Sequence, residues 1–181
     1  MPVAEEVTNQ MMSPFRCQLC GEVYLGAEAP DRCPFCGARS SEIVPAAVWV
    51  KYGKLELNEQ DAAYLRKALE LELGNAAFYK ACASKAQTRV SESIFKRLSR
   101  QEGEHAELLG DLLGEEGKPP EGVGCPDDDE DKFAEAHRRE KRAIIFYLEA
   151  ADNAQHERIR QVMHAIADVE SEHLKISNVY R

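Results

Sequence analysis

The chain has 181 residues, of which 44% are hydrophobic and 30% charged, and its formal net charge is −9 at pH 7. The length suits one ordinary domain with a small appendage, and the acidic balance argues against nucleic acid or an anionic membrane surface as a partner. No apolar run approaches the roughly 20 residues of a membrane span, and the first residues lack a secretory signal pattern, so we expect a cytoplasmic protein.

Two CxxC pairs lie close to the start of the chain: Cys17, Cys20, Cys33 and Cys36. Each pair is followed by a glycine, Gly21 or Gly37, which permits a tight turn and lets backbone N–H groups approach the sulfurs. In a reducing compartment such pairs predict metal ligands rather than disulfides. Four thiolates suit a tetrahedral site for zinc or for a single iron, and the spacing does not choose between them.

Changes in composition divide the chain into four segments. We assign residues 1–14 to an N-terminal arm, 15–45 to the cysteine module, 46–57 to a linker and 58–181 to a helical domain. From Asn58, a good helix N-cap, apolar residues recur at intervals of three and four. This period predicts four helices, beginning after Asn58, near Thr88, near Asp131 and near His156.

The connections between the predicted helices differ in length. Short turns join the first helix to the second and the third to the fourth, whereas 17 residues, 114–130, separate the second from the third. Extended, that segment reaches about 55 Å, and a helix of some 26 residues is only about 40 Å long. The sequence therefore predicts an all-α, ferritin-like four-helix bundle with a long crossover, preceded by a small four-cysteine knuckle domain.

Two Glu-x-x-His pairs and two lone glutamates repeat with one spacing on these helices: Glu72, Glu102 and His105, then Glu140, Glu170 and His173. In both halves the lone glutamate stands 30 residues before the pair, and residues three apart share one helix face. A shift of 68 residues aligns the two halves with nine identities in 34 positions, against about two expected from composition. The halves therefore read as two copies of one helical hairpin.

All six of these side chains fall inside apolar stripes, where an unpaired carboxylate is costly. Four glutamates carry a charge that two divalent cations would cancel. One glutamate from each of two helices plus Glu-x-x-His from each of two others is the ligand set of a two-metal site in a helical bundle. Mixed carboxylate and imidazole ligands favour iron or manganese.

Tyr79 and Tyr147 follow the lone glutamates by seven residues and lie on the same helix faces. They are either core aromatics or phenols that donate a hydrogen bond to an oxygen species at the metals, and we retain them as candidate catalytic residues. Cys82 is predicted to be a small buried residue, and Cys125 a loop thiol.

Taken together, these features resemble a rubrerythrin over about residues 15–181. The four cysteines match rubredoxin-type Fe(Cys)₄ knuckles, the six glutamates and histidines match the diiron ligands, and the two tyrosines match tyrosines near that site. The cysteine module comes first, as in "reverse" rubrerythrins. Typical members carry a further glutamate one turn after the third helix's ligand, where this chain has Ala143, and the corresponding position in the first half is Asn75.

The resemblance implies a peroxidase that reduces hydrogen peroxide to water at two irons, or at iron and manganese. The rubredoxin-like iron would relay electrons from NAD(P)H through a separate reductase, and head-to-tail homodimers would let the relay cross between subunits. Two alternatives stay open: a ferritin-like iron oxidase or storage protein, and a non-enzymatic metal-binding module with zinc in the knuckles.

Overall fold

The computed structural model describes residues 11–51 and 54–181, in which a small antiparallel sheet precedes four long helices. The strands are β1 (Ser13–Cys17), β2 (Val23–Gly26) and β3 (Ile43–Pro45), in the order β2-β1-β3. Residues 1–10 of the predicted arm and residues 52 and 53 of the predicted linker lie outside the described residues. Ser13 pairs with Gly26, so the last residues assigned to the arm belong to the sheet.

The first part of the predicted linker packs on the cysteine module. Residues Ala46–Val48 form a short 3₁₀ turn. The indole N–H of Trp49 then donates to the carbonyl of Cys17 at 3.0 Å, and the guanidinium of Arg16 lies 3.9 Å from the centre of the indole ring. The chain is thereby held against the first knuckle before it enters the helical domain.

The four predicted helices are present as α1 (Glu59–Ser84), α2 (Arg89–Leu113), α3 (Asp129–Asn153) and α4 (Glu157–Tyr180). Asn58 caps α1 by accepting the Asp61 N–H at 2.8 Å, and Thr88 caps α2 by accepting the Ser91 N–H at 3.0 Å. The α3 helix begins two residues before the predicted start. Three acidic residues occupy its first turn, where they interact favourably with the helix dipole.

The connection between α2 and α3 is the predicted long crossover. Gly114 ends α2 in the left-handed region, with φ of 71°, and residues 115–128, all of them described, contain no helix. The predicted all-α bundle with a long crossover is confirmed. Within residues 11–51 and 54–181, no helix combines the length and the apolar character that a membrane crossing requires.

Each hairpin of the bundle is fastened to the turn of the other hairpin by one aspartate. Asp61 of α1 accepts the N–H groups of Gln155 and His156, both at 2.9 Å. Asp129 of α3 accepts those of Gln87 and Thr88, at 3.1 and 3.3 Å. These positions are 68 residues apart, so the two contacts are copies of one another and extend the internal repeat upstream of Glu72.

A buried lysine distinguishes the second of these contacts from the first. Lys132 is fully buried, and its ammonium donates to the carbonyls of Lys85 and Asp127 and to Asp129 Oδ1, at 2.7, 2.8 and 2.8 Å. Burial raises the pKa of Asp129, but hydrogen bonds from Lys132, Ser91 and Gln87 outweigh burial and lower it to about 2. A pKa lowered on folding stabilises the fold above the ordinary value of 3.8, and this contribution is lost as pH falls towards 2.

We expect the two aspartates to differ in importance. Asp61→Ala leaves two N–H groups at the start of α4 without their acceptor and should cost about 2 kcal/mol. Asp129→Ala also strips the counter-charge from buried Lys132 and should cost about 3–4 kcal/mol at neutral pH. Urea unfolding of variants with matched metal content measures both, with Asp152→Ala, an exposed carboxylate on α3, as the control. Equal losses at the two positions would contradict the stabilising role of the ion pair.

Candidate metal centres

The four cysteines of the knuckles converge on one point. Cys17 Sγ lies 3.8 Å from Cys36 Sγ, and Cys20 Sγ lies 3.7 Å from Cys33 Sγ. A tetrahedron with metal–sulfur bonds of about 2.3 Å has edges of about 3.8 Å, so the sulfurs stand at the separation a metal requires. Gly21 and Gly37 adopt φ of 78° and 85°, and their N–H groups close the two knuckle turns.

The thiols are close enough to dominate one another's ionisation. Hydrogen bonds from Cys17, Cys20 and Cys36 hold the pKa of Cys33 far below its usual value. The same kind of contact, from Cys17 first, raises the pKa of Cys36 far above it. Without a cation the four sulfurs cannot all be thiolates, and a bound metal would take the place of the shared protons.

The six glutamates and histidines predicted from the repeat meet in the middle of the bundle. All six side chains are at most 2% exposed. Their donor atoms form two groups, each lying within 4.8 Å: Glu72, Glu102, His105 and Glu170 in one, and Glu102, Glu140, Glu170 and His173 in the other. We call the two groups the Glu72 half-site and the Glu140 half-site.

Glu102 and Glu170 belong to both half-sites, and each presents one oxygen to each histidine. Glu102 Oε2 lies 3.7 Å from His105 Nδ1, and Glu102 Oε1 lies 3.3 Å from His173 Nδ1. Glu170 Oε1 lies 3.4 Å from His105 Nδ1, and Glu170 Oε2 lies 3.0 Å from His173 Nδ1. This geometry suits two carboxylates that bridge a pair of cations, with Glu72 and Glu140 as terminal ligands.

The electrostatics of the cluster favour a bound positive charge. Burial first, and then the charge of Glu170, raises the pKa of Glu102 and of Glu140 well above the usual range. Five buried side-chain atoms have no hydrogen-bond partner in the described part of the chain: Glu102 Oε1 and Oε2, Glu140 Oε2, Glu170 Oε1 and His173 Nε2. Buried polar atoms are normally paired, so four of these, the carboxylate oxygens, are the atoms that cations would engage.

Tyr79 and Tyr147 surround this cluster with crossed hydrogen bonds. The Tyr79 hydroxyl on α1 donates to Glu140 Oε1 on α3, and the Tyr147 hydroxyl on α3 donates to Glu72 Oε1 on α1. Burial, followed by the adjacent glutamate charge, raises the pKa of both phenols well above the usual value, so both remain donors. Each tyrosine therefore orients the terminal carboxylate of the opposite half.

A direct contact connects the two candidate centres. His105 Nε2 lies 2.9 Å from the carbonyl oxygen of Cys36, while its Nδ1 faces the carboxylates. A metal-bound histidine usually donates its second N–H to a carboxylate or backbone carbonyl. The backbone of one sulfur donor thus touches one nitrogen donor of the bundle within a single chain.

Arginines hold the cysteine module in this position. Arg97 of α2 donates to the carbonyl of Phe35 at 2.7 Å, and Arg158 of α4 donates to the carbonyl of Gln18. Arg32 binds Asp168 at 3.2 Å and Glu172 at 3.0 Å. Sequence reasoning missed these contacts because carbonyl acceptors leave no residue signature and surface arginines are common.

The two remaining cysteines occupy a second apolar cluster at the Tyr79 end of the bundle. Cys82 is fully buried on α1, and Cys125 of the crossover packs against the same cluster. Burial, followed by a hydrogen bond with Cys125, raises the pKa of the Cys82 thiol. Neither residue joins the two metal-ligand clusters formed by the described residues.

Comparison with known proteins matches both parts of the chain. The family profile described as Rubrerythrin matches residues 63–178, and the profile described as Rubrerythrin, rubredoxin-like domain matches residues 15–43. Reverse rubrerythrin-1 of Clostridium acetobutylicum is 31% identical over 116 residues, which cover 58% of this chain and 64% of that protein, less than two thirds of its length. No solved structure matches the chain.

The candidate centres agree with these matches. The four-cysteine cluster and the carboxylate–histidine cluster fit the iron sites of a rubrerythrin, and the order of the two profile matches is that of the reverse type.

Because Glu102 is shared by both half-sites, its loss should affect both cations. We expect Glu102→Gln to bind at most one metal ion in the bundle instead of two, while the four-cysteine site stays filled. Glu104→Gln is the matched control, since Glu104 lies on the same helix outside the cluster. Elemental analysis after anaerobic iron loading gives the counts. Two bundle ions in Glu102→Gln would contradict the bridging role.

Proposed function

Because the chain belongs to the rubrerythrin family, we propose that it is a non-haem diiron peroxidase that reduces hydrogen peroxide to water. The reaction consumes two electrons and two protons for each peroxide and yields two waters. Electrons would come one at a time through the rubredoxin-like centre, from NAD(P)H by way of a separate reductase. A cytoplasmic location and a homodimer remain predictions from the sequence.

The observation that carries this proposal is the pairing of two kinds of centre by one hydrogen bond. Four sulfurs stand at the separation of a one-electron metal centre, and their module touches His105 of the bundle cluster through Cys36. A storage site or a zinc clip has no need of such a contact. An electron relay does, since it needs a short covalent and hydrogen-bonded path between donor and acceptor.

In this proposal the four cysteines hold the relay iron, and the six glutamates and histidines hold two irons. Glu102 and Glu170 would bridge, with Glu72 and His105 on one iron and Glu140 and His173 on the other. When bound in the ferrous state, the two irons supply the two electrons that cleave the O–O bond.

The chain itself contributes enclosure and orientation. All six proposed bundle ligands are buried, which excludes bulk water and strengthens electrostatic interactions within the site. Tyr79 and Tyr147 fix the terminal carboxylates through their hydroxyl groups. A further role for these phenols as donors to a bound oxygen species stays a prediction.

The Cys36–His105 contact lies within one chain, so the proposed relay does not require a second subunit. This differs from the cross-subunit relay that the family resemblance implied. The distinction is testable because the two centres can be disabled in separate chains.

We expect one equivalent of hydrogen peroxide to reoxidise the anaerobically reduced protein rapidly and with the stoichiometry of two electrons per peroxide. Stopped-flow spectra of the iron–sulfur chromophore follow the reaction. Elemental analysis first establishes whether iron or zinc fills the cysteines. Reduced centres that oxygen oxidises but peroxide leaves unchanged would favour the iron oxidase alternative, and zinc in the cysteines would favour the non-enzymatic module.

Loss of the relay should separate electron supply from peroxide chemistry. We expect Cys33→Ser to keep the bundle irons and one rapid turnover with peroxide, and to lose steady-state turnover with the reductase by at least about 100-fold, since removing the relay raises the barrier by roughly 3 kcal/mol or more. Cys125→Ser, a substitution outside both clusters, is the control. Full steady-state turnover in Cys33→Ser would refute the relay.

The route of the relay can be tested with mixed oligomers. Cys33→Ser and Glu102→Gln chains carrying different tags are co-expressed and purified through both tags. An intrachain relay predicts no recovery of steady-state peroxidase activity in the mixed species, because no chain has both centres. Recovery of activity would show that electrons cross between chains.

A further inference from the structure

Asn75 interrupts the symmetry of the bundle beside the carboxylate–histidine cluster. The buried positions of α1 alternate by three and four residues through 65, 68, 72, 75, 79 and 82. Asn75 thus lies between Glu72 and Tyr79 on the inward face, and it is only 3% exposed. The position 68 residues later is Ala143, which is fully buried, so only the first half carries a polar group there.

One end of the Asn75 amide is fixed and the other is unpaired. Asn75 Oδ1 accepts from Arg139 Nη1 of α3 at 3.3 Å. Arg139 is itself held, since its Nε binds Glu135 at 3.1 Å and its guanidinium lies 4.2 Å from the centre of the Phe78 ring. With the carbonyl end so oriented, Asn75 Nδ2 is a buried donor with no hydrogen-bond partner among the described residues.

A surface cavity of about 210 Å³ reaches this amide between α1 and α3. It is lined by Glu70, Leu71, Gly74, Asn75, Arg139 and Arg142. A side chain at Gly74 would meet nothing within 4 Å, so glycine there leaves the cavity open. The space exceeds the volume of several waters, each of about 30 Å³, and a molecule of two oxygen atoms fits easily.

The lining favours a small molecule that accepts hydrogen bonds. The unpaired amide and the two guanidinium groups present donors and positive charge. The one carboxylate of the lining, Glu70, is exposed and lies 3.8 Å from Lys67. An unpaired buried donor is unfavourable unless a bound molecule satisfies it.

We propose that this cavity binds hydrogen peroxide on its way to the carboxylate–histidine cluster, and that Asn75 Nδ2 donates a hydrogen bond to a peroxide oxygen. Asn75 is one helical turn from Glu72, so peroxide reaches the Glu72 half-site rather than its counterpart. The inference rests on the proposed peroxidase function and adds the place and the residue of substrate binding.

Two substitutions remove the donor in different ways. Asn75→Ala installs the residue found at the equivalent position of the second half, and Asn75→Leu keeps a similar size without a polar group. We expect either change to lower the second-order rate constant for reoxidation of the anaerobically reduced protein by hydrogen peroxide about three- to tenfold, the effect of one hydrogen bond. Asn153→Ala, an exposed amide at the end of α3, should leave the rate unchanged.

A second measurement separates substrate binding from structural support. The thermal midpoint of the metal-free Asn75 variants should equal or exceed that of the metal-free wild type, because the unpaired amide is gone. Unchanged peroxide rates, or rates that fall together with the metal-free midpoint, would overturn the assignment of Asn75. A wild-type protein that does not react with peroxide would instead overturn the proposed function, and the assignment with it.

Discussion

The bundle depends on placing four carboxylates in an apolar interior without leaving them unneutralised. Glu72, Glu102, Glu140 and Glu170 are all fully buried, and buried ionised carboxylates are destabilising unless positive charge lies among them. Two divalent cations meet that need, and the two tyrosine hydroxyls are spent on aiming the terminal carboxylates. Packing of the two hairpins and loading of the metals are therefore one linked equilibrium.

The cysteine module is bound to this bundle by contacts of two strengths. The Cys36 carbonyl on His105, and Arg97 on Phe35, are largely shielded from solvent. The Arg32 and Arg39 pairs with Asp168 are more exposed and contribute less, because solvent and salt screen them. The buried contacts fix the distance between the two centres, and the outer ion pairs limit rotation of the module about them.

The sequence predicted the four helices, the crossover and both clusters because each depends on spacing along the chain. CxxC pairs and Glu-x-x-His pairs reveal which side chains share a turn or a helix face. Contacts set by the packing of distant segments escaped this reasoning. The carbonyl of Cys36 carries no residue signature, buried Lys132 reads as one more surface lysine, and Asn75 reads as a neutral helix residue. The start of β1 at Ser13, inside the predicted arm, was missed because a strand of five residues needs its partners to be recognised.

The sharing of Glu102 and Glu170 has a consequence for the origin of the domain. Each hairpin supplies three of the four groups of one half-site and lends the fourth to the other, and each also caps the turn of its neighbour through Asp61 or Asp129. Every one of these contacts is reciprocal, as in an isologous pair of identical chains. An ancestral peptide of one hairpin would thus have completed both sites by self-association, and the crossover is the join that made the pair heritable as one gene, free to diverge at Asn75 and Ala143.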